Sequence, residues 1–286
     1  MAELKYLKEY LSTEDATEGS LLIVKKIFDT LILEQEKALI PRSEAAIVFG
    51  PGDIPGSSID VDLVTENTQD IRLVSEGAEI PLDEAEYTST NLKPLKYGVA
   101  IRITNELMED SKWNLLEHNT KTAGQRLAEN ETSLILTAMA GAANTISGGA
   151  AATIANITRA LQYLDDADYE GTTLLVGNEF LQDLRNIDTF VEANKSGSTE
   201  MLATGFKGVI YGLNVLRFST NAAPSTTYSL YGYVYDRTKA YAIAEKRPIS
   251  IQNFDLPTYD MSGAVITQRI AVELLRSSAV CKITTS

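Results

Sequence analysis

Apolar residues near the N-terminus recur at helical spacing. Leu21, Val24, Phe28, Leu31 and Ile32 form one stripe behind Ser20, a candidate N-cap, in a stretch that runs to Pro41. Residues 1–18 before it are mixed and charged, so this terminal helix needs a surface to lie on, its own domain's or a neighbour's. From Gly50 the texture changes. The turn-rich GPGDIPGSS leads into IDVDLV, DIRLVSE and the acidic GAEIPLDEAEYTSTN, and then LKPLKYGVAIRIT. There Val99, Ile101 and Ile103 alternate with Ala100 and Arg102, which predicts a strand. Residues 59–103 therefore read as an extended hairpin excursion. At Thr104, a candidate cap, the spacing becomes helical. Leu107, Met108, Leu115, Leu116, Leu127, Leu134, Ile135 and Met139 extend over about nine turns and predict a long helix that restarts near Lys112.

Gly141 and AANTISGGAAA break that helix and mark a candidate boundary. Beyond it, TIANITRALQYLDDA predicts a short amphipathic helix, TTLLVG a buried strand, and NEFLQDLRNI a helix capped by Asn178, together an α/β layer. The loop-like EANKSGSTEMLATG precedes GVIYGLNVLRFST, a strand pair across Tyr211-Gly212. The remainder is rich in β-branched and aromatic residues and predicts strands, interrupted by FDLPTYDMSG as one long turn.

Composition narrows the function. The 286 residues are 44% hydrophobic and 22% charged, enough for one large domain or two modest ones. No secretory leader and no run of 18 apolar residues is present, so a cytosolic setting and no membrane are expected. The net charge of −14 has the wrong sign for gripping phosphate backbones, although an acidic container can enclose nucleic acid without binding it tightly. Cys281 stands alone and reads as a small buried hydrophobe in a strand.

Candidate chemistry is sparse. His118 has no cysteine or second histidine at metal-ligand spacing. Gly205-Phe206-Lys207-Gly208 lacks the Ser/Thr that a phosphate loop requires after its lysine. Asp166, Asp168, Glu170 and Gly171 copy half a calcium loop, but the twelfth position is Gly177 where a glutamate should be, and TTLLV is a strand. Asn130, Asn156 and Asn194 begin glycosylation triplets that have no meaning without a leader. Neither an enzyme nor a cofactor nor a metal is expected.

The order of elements resembles the α+β fold of tailed-virus major capsid proteins, the Johnson fold shared with encapsulins. Val74–Pro81, Leu92–Thr104 and Glu106–Asp110 resemble the family's hairpin return running into its spine helix. Gln125–Glu131 resembles the end of that helix, and Gly208–Val215 the axial strand pair. Arg247–Ile251 and Ala264–Leu275 resemble the closing strands. The resemblance implies an N-terminal arm at 1–45, an extended hairpin loop with flanking strands at 46–103, and a spine helix of the peripheral domain at 104–141. An axial domain at 142–239 and closing peripheral strands at 240–286 complete the layout.

It further implies a virion protein, assembled in the host cytoplasm, whose pentamers and hexamers close an icosahedral shell around double-stranded DNA of a tailed virus or provirus. A separate scaffold, a portal and decoration proteins would be its partners. The alternatives are an encapsulin-type compartment, another phage structural component, or an α+β enzyme. Residues 59–92 contain no lysine, and Arg72 is their only basic residue, so the isopeptide crosslink of some members is not expected. The candidate inter-subunit contacts are Leu21, Val24, Phe28 and Leu31 of the arm, Arg72 and Glu76 of the hairpin, and Phe254, Leu256, Pro257 and Tyr259 of the turn. That turn is expected to project to a junction of capsomers, with Asp255 and Asp260 paired to Arg247 or Arg269 of a neighbour.

Overall fold

The computed structural model describes residues 41–64, 73–76, 87–104, 106–107, 115–187 and 209–285. The arm residues Leu21, Val24, Phe28 and Leu31, and Arg72 of the hairpin, lie outside these.

Among the described residues the architecture is two larger sheets bridged by a long helix, with a two-stranded hairpin beside them. The first sheet has the order β1-β10-β11-β4, with β1 (Ile47–Phe49), β10 (Tyr241–Leu256), β11 (Met261–Leu274) and β4 (Leu95–Thr104). β1 runs parallel to β10, and the other pairings are antiparallel. The second sheet has six strands in the order β5-β12-β9-β6-β8-β7. They are β5 (Asn144–Ser147), β6 (Thr173–Val176), β7 (Val209–Ile210), β8 (Leu213–Arg217), β9 (Tyr231–Tyr235) and β12 (Val280–Thr284). A separate two-stranded hairpin joins β2 (Ile59–Val64) to β3 (Tyr87–Leu92).

The alternation read in β4 buries Ile103 and half-buries Tyr97, Val99 and Ile101, while Lys96, Gly98, Ala100 and Arg102 are exposed. Helix α1 (Leu115–Met139) lies on that inner face. Its Ala123 and Leu127 pack with Val99, Ile101, Ile249, Ile251 and Ile266. Two turns further on, Ile135, Leu136 and Met139 meet Tyr233 and Tyr235 of the second sheet as well as Tyr241, Ile243 and Ile270 of the first. The helix therefore ends at the junction of the two sheets. Ahead of it, the Thr104 hydroxyl accepts a hydrogen bond from the backbone N–H of Leu107 at 3.3 Å, the capping role its position predicts.

Helices α2 (Ile154–Asp165) and α3 (Asn178–Arg185) cover the second sheet with Ile157, Ala160, Leu164, Phe180, Leu181 and Leu184. β6 is buried along its whole length, as its continuous apolar run predicts.

Four local expectations are corrected. The hairpin spans 59–92, and residues 95–104 form a different strand, because β4 pairs with β11. The N-cap of α3 is Gly177, not Asn178. A Cβ at residue 177 would stand 2.3 Å from the Ser229 carbonyl oxygen, so only glycine fits there. The long turn shrinks to residues 257–260, since β10 continues to Leu256 and β11 starts at Met261. The last strand, β12, inserts between β9 and β5 of the second sheet, so the stretch after 240 is divided between both sheets.

Candidate assembly surfaces

The tip of the β10–β11 hairpin carries the turn residues singled out in the sequence. Phe254 faces Gly263 across the strands, and its ring lies against that glycine: an added Cβ at 263 would meet the ring at 2.7 Å and the Ile101 carbonyl oxygen at 2.2 Å. Phe254 is thus used within its own sheet. Leu256 and Tyr259, 39% and 69% exposed, are left facing solvent at the tip. Asp260 closes the turn with φ 49°, a left-handed conformation that aspartate tolerates better than most residues.

The outer face of the first sheet, away from α1, shows a feature that sequence spacing did not reveal. Lys96 of β4 is in register with Arg269 of β11, which is in register with Arg247 of β10. Residues directly opposite in an antiparallel pair project from the same face, so Lys96 and Arg269 stand side by side, and Arg247, whose pairing lies between two register shifts, adds a third cation in register beside them. Lys96 and Arg247 are exposed; Arg269 is half-buried and donates to the Pro94 carbonyl oxygen at 3.2 Å. Among the described residues no carboxylate lies within ion-pair distance of the three. Like charges in register are unfavourable, so the row favours an anionic partner.

The β2–β3 hairpin is covered unevenly. Leu92 at its root is fully buried with Ile54, Ala242, Ala244 and Leu275, and Ile59, Val61 and Leu63 pack against this cluster. At the far end Tyr87 is 68% exposed, and Thr88 and Ser89 beside it are exposed too. In the segment joining the strands, Glu76 is exposed and Leu73 fully so. Among the described residues Leu73 is the most exposed of the large apolar side chains.

Beneath these surfaces lies a polar joint. The turn Pro41–Glu44 sends Arg42 between α1 and the first sheet, where its guanidinium pairs with Glu131 at 3.4 Å and with Glu245. Gln268 donates to the other oxygen of Glu245 at 3.0 Å. Two residues on, Glu44 turns toward the second sheet, accepting from the Thr173 hydroxyl at 3.0 Å and pairing with Arg237 at 3.5 Å. Arg237 also donates to the Ser43 carbonyl oxygen at 2.8 Å. Glu131 is fully buried, and its Oε1 has no hydrogen-bond partner. Burial raises its carboxyl to about 7, with Glu245 adding to the shift and Arg42 and Gln268 opposing it. The apolar stripe of α1 held the clue, because Glu131 stands four residues after buried Leu127 and four before buried Ile135.

The other polar candidates occupy structural positions. His118 is exposed on α1. Asp166 and Asp168 end α2 in a turn, Asp168 with φ 58°. Cys281 is buried in β12, and burial pushes its thiol up to about 11. Among the described residues no group of three or more His, Cys, Asp or Glu is placed to hold a metal ion, and no helix is long and apolar enough to cross a membrane.

Comparison with known proteins gives two findings. The sequence pattern of a phage capsid protein family matches residues 86–275, from the return strand of the hairpin to the end of β11. The fold is similar to that of several solved structures. For a chain from Mycobacterium phage Che8 the TM-score is 0.67 at 15% identity, over 80% of this chain and 84% of that one. For the capsid of cyanophage P-SCSP1u it is 0.66 at 13% identity, over 87% and 88%. For the capsid of a native GTA particle it is 0.67 at 12% identity, over 87% and 90%. No curated protein matches the sequence.

Proposed function

Since the chain belongs to the phage capsid protein family, we propose that it is the major capsid protein of a tailed phage, and that its copies close an icosahedral shell around double-stranded DNA. The observation that carries this reading is the family match, which covers the hairpin return, α1 and the long β10–β11 hairpin in one continuous stretch. The protein is a structural component of the virion and not an enzyme. The physical picture supports it. A two-stranded hairpin is marginal by itself, and the tip carries apolar side chains that gain roughly 1.5–3 kcal/mol each only when buried.

In this reading residues 1–45 are the arm and 46–92 the extended loop with β1. The first sheet and α1 are the peripheral domain. The second sheet with α2 and α3 is the axial domain, to which β12 belongs. Leu21, Val24, Phe28 and Leu31 cover a neighbouring copy, and Leu256, Pro257 and Tyr259 meet other copies at a capsomer junction. The basic row Lys96, Arg269 and Arg247 takes carboxylates of a neighbour. Residues 66–86 are the candidate source, with seven acidic residues, Glu76 among them, against the single basic Arg72. Pentamers and hexamers, a separate scaffold, a portal and decoration proteins complete the assembly. The net charge of −14 suits a wall that encloses DNA without adhering to it.

Sedimentation and electron microscopy of the purified chain, alone and with a co-expressed scaffold, test the proposal. Closed shells with five- and six-fold clusters are the expected result. A chain that stays monomeric or dimeric under every assembly condition would count decisively against it.

A further inference from the structure

The joint at residues 41–46 ties three bodies together. Arg42 reaches α1 and β10, Glu44 reaches β6 and Arg237, and the Ala46 N–H donates to the Tyr241 carbonyl oxygen at 3.0 Å. Its electrostatics are not balanced on the α1 side. One guanidinium serves two carboxylates, Glu131 and Glu245, and the better-placed pairing goes to Glu245, whose second oxygen is also occupied by Gln268. Glu131 is left with one long contact and a buried oxygen that nothing satisfies. A carboxylate so placed keeps most of its desolvation cost, whereas the neutral acid does not.

From this arrangement we infer that Glu131 is a proton-operated joint: the closed form, with residues 41–46 locking α1 to both sheets, holds a proton that any form exposing Glu131 releases. The groups facing the carboxyl are Arg42 from the turn, Glu245 and Tyr241 from β10 and Gln268 from β11, with Glu44 and Arg237 behind Tyr241. Tyr241 is pushed up by its own burial and stays protonated. Glu131 is brought near neutrality, to about 7, chiefly by burial. The direction follows from linkage. Exposure returns the carboxyl toward its ordinary value of 4.5 and frees the proton, so rising pH between 4.5 and about 7 favours opening, the effect is level above that, and acid favours closure. Residues 1–40 precede this joint in the sequence and belong to the arm in the function proposed above, so pH would set how firmly the arm's root is held.

Hydrogen exchange read by mass spectrometry on the full chain, from about pH 5 to about pH 8.5 and corrected for the intrinsic rate, tests this on peptides covering 42–49 and 127–135. Wild type should lose protection by about tenfold or more as pH rises to about 7, and level off above it. Glu131→Gln, which keeps the shape and removes the proton, should show no such step. Glu245→Gln removes a carboxylate that raises Glu131, so its step should move to lower pH. The inference is overturned if wild type shows no step or if Glu131→Gln retains it. Should Glu131→Gln fail to fold, the Glu245→Gln profile decides, and an unmoved step overturns the idea. Shell formation is followed separately by sedimentation, so failure to assemble bears on the proposed function and not on the joint.

Discussion

At the scale of single residues, apolar side chains a few positions apart have opposite roles. Phe254 lies on Gly263 inside the sheet, while Leu256 and Tyr259 are left at the tip. Replacing Leu256 and Tyr259 together by serine should leave the melting temperature of the unassembled chain nearly unchanged and lower the yield or stability of shells. Gly263→Val should do the reverse, costing on the order of 1–3 kcal/mol within the monomer because the added atoms meet the Ile101 carbonyl oxygen and the Phe254 ring. Calorimetry beside sedimentation separates the two, and early melting of the serine pair would show that the tip folds onto its own domain. Glu131 gives the pH prediction. Below its unfolded value of 4.5 both states are protonated and it contributes nothing. Between 4.5 and about 7 the unfolded chain ionises first, so stability falls as pH rises, and above about 7 the loss is complete. The full loss is on the order of 3 kcal/mol. Melting followed against pH should show this decline in wild type, and a flatter profile in Glu131→Gln.

At the scale of elements, the sheet register creates what no single strand contains. Lys96, Arg269 and Arg247 lie far apart in the chain and become one basic row only through the β4–β11–β10 pairing. Lys96→Glu with Arg247→Glu should therefore leave a folded chain whose shells form poorly. Mixing it with a chain carrying Glu79→Lys, Asp83→Lys and Glu84→Lys should restore assembly, since each then offers the other a complementary surface. Rescue absent in the mixture but present when all five changes share one chain would place the contact within the subunit. Helix α1 is a second case. Its position along the chain was legible from helical spacing, and Thr104 does cap the backbone ahead of it. Its partners were not legible, because an apolar stripe records that a face is buried and not which sheet buries it.

At the scale of the whole molecule, the segment between β2 and β3 contains no lysine, so the shell should be held by many non-covalent contacts. Mature particles boiled in detergent and reductant should run as a single band at the mass of one subunit; a ladder of multimers would overturn this. The sequence by itself determined the order of elements, the buried run of β6, the alternation of β4, the paired strands at Tyr211-Gly212 and the long helix, because each rests on periodicity within a few consecutive residues. Together with the element order, this was enough to point to the capsid family. The tertiary structure alone decided that β12 joins the second sheet, that residues 95–104 leave the hairpin to pair with β11, and that the turn after Leu256 is short. It also decided which cations stand together and that Glu131 is buried beneath Arg42. Strand propensity is the same for every sheet a strand could join, and a charged residue on a helix reads as solvated until a partner is folded over it. Pairing and burial are long-range choices made by packing, so local pattern cannot carry them.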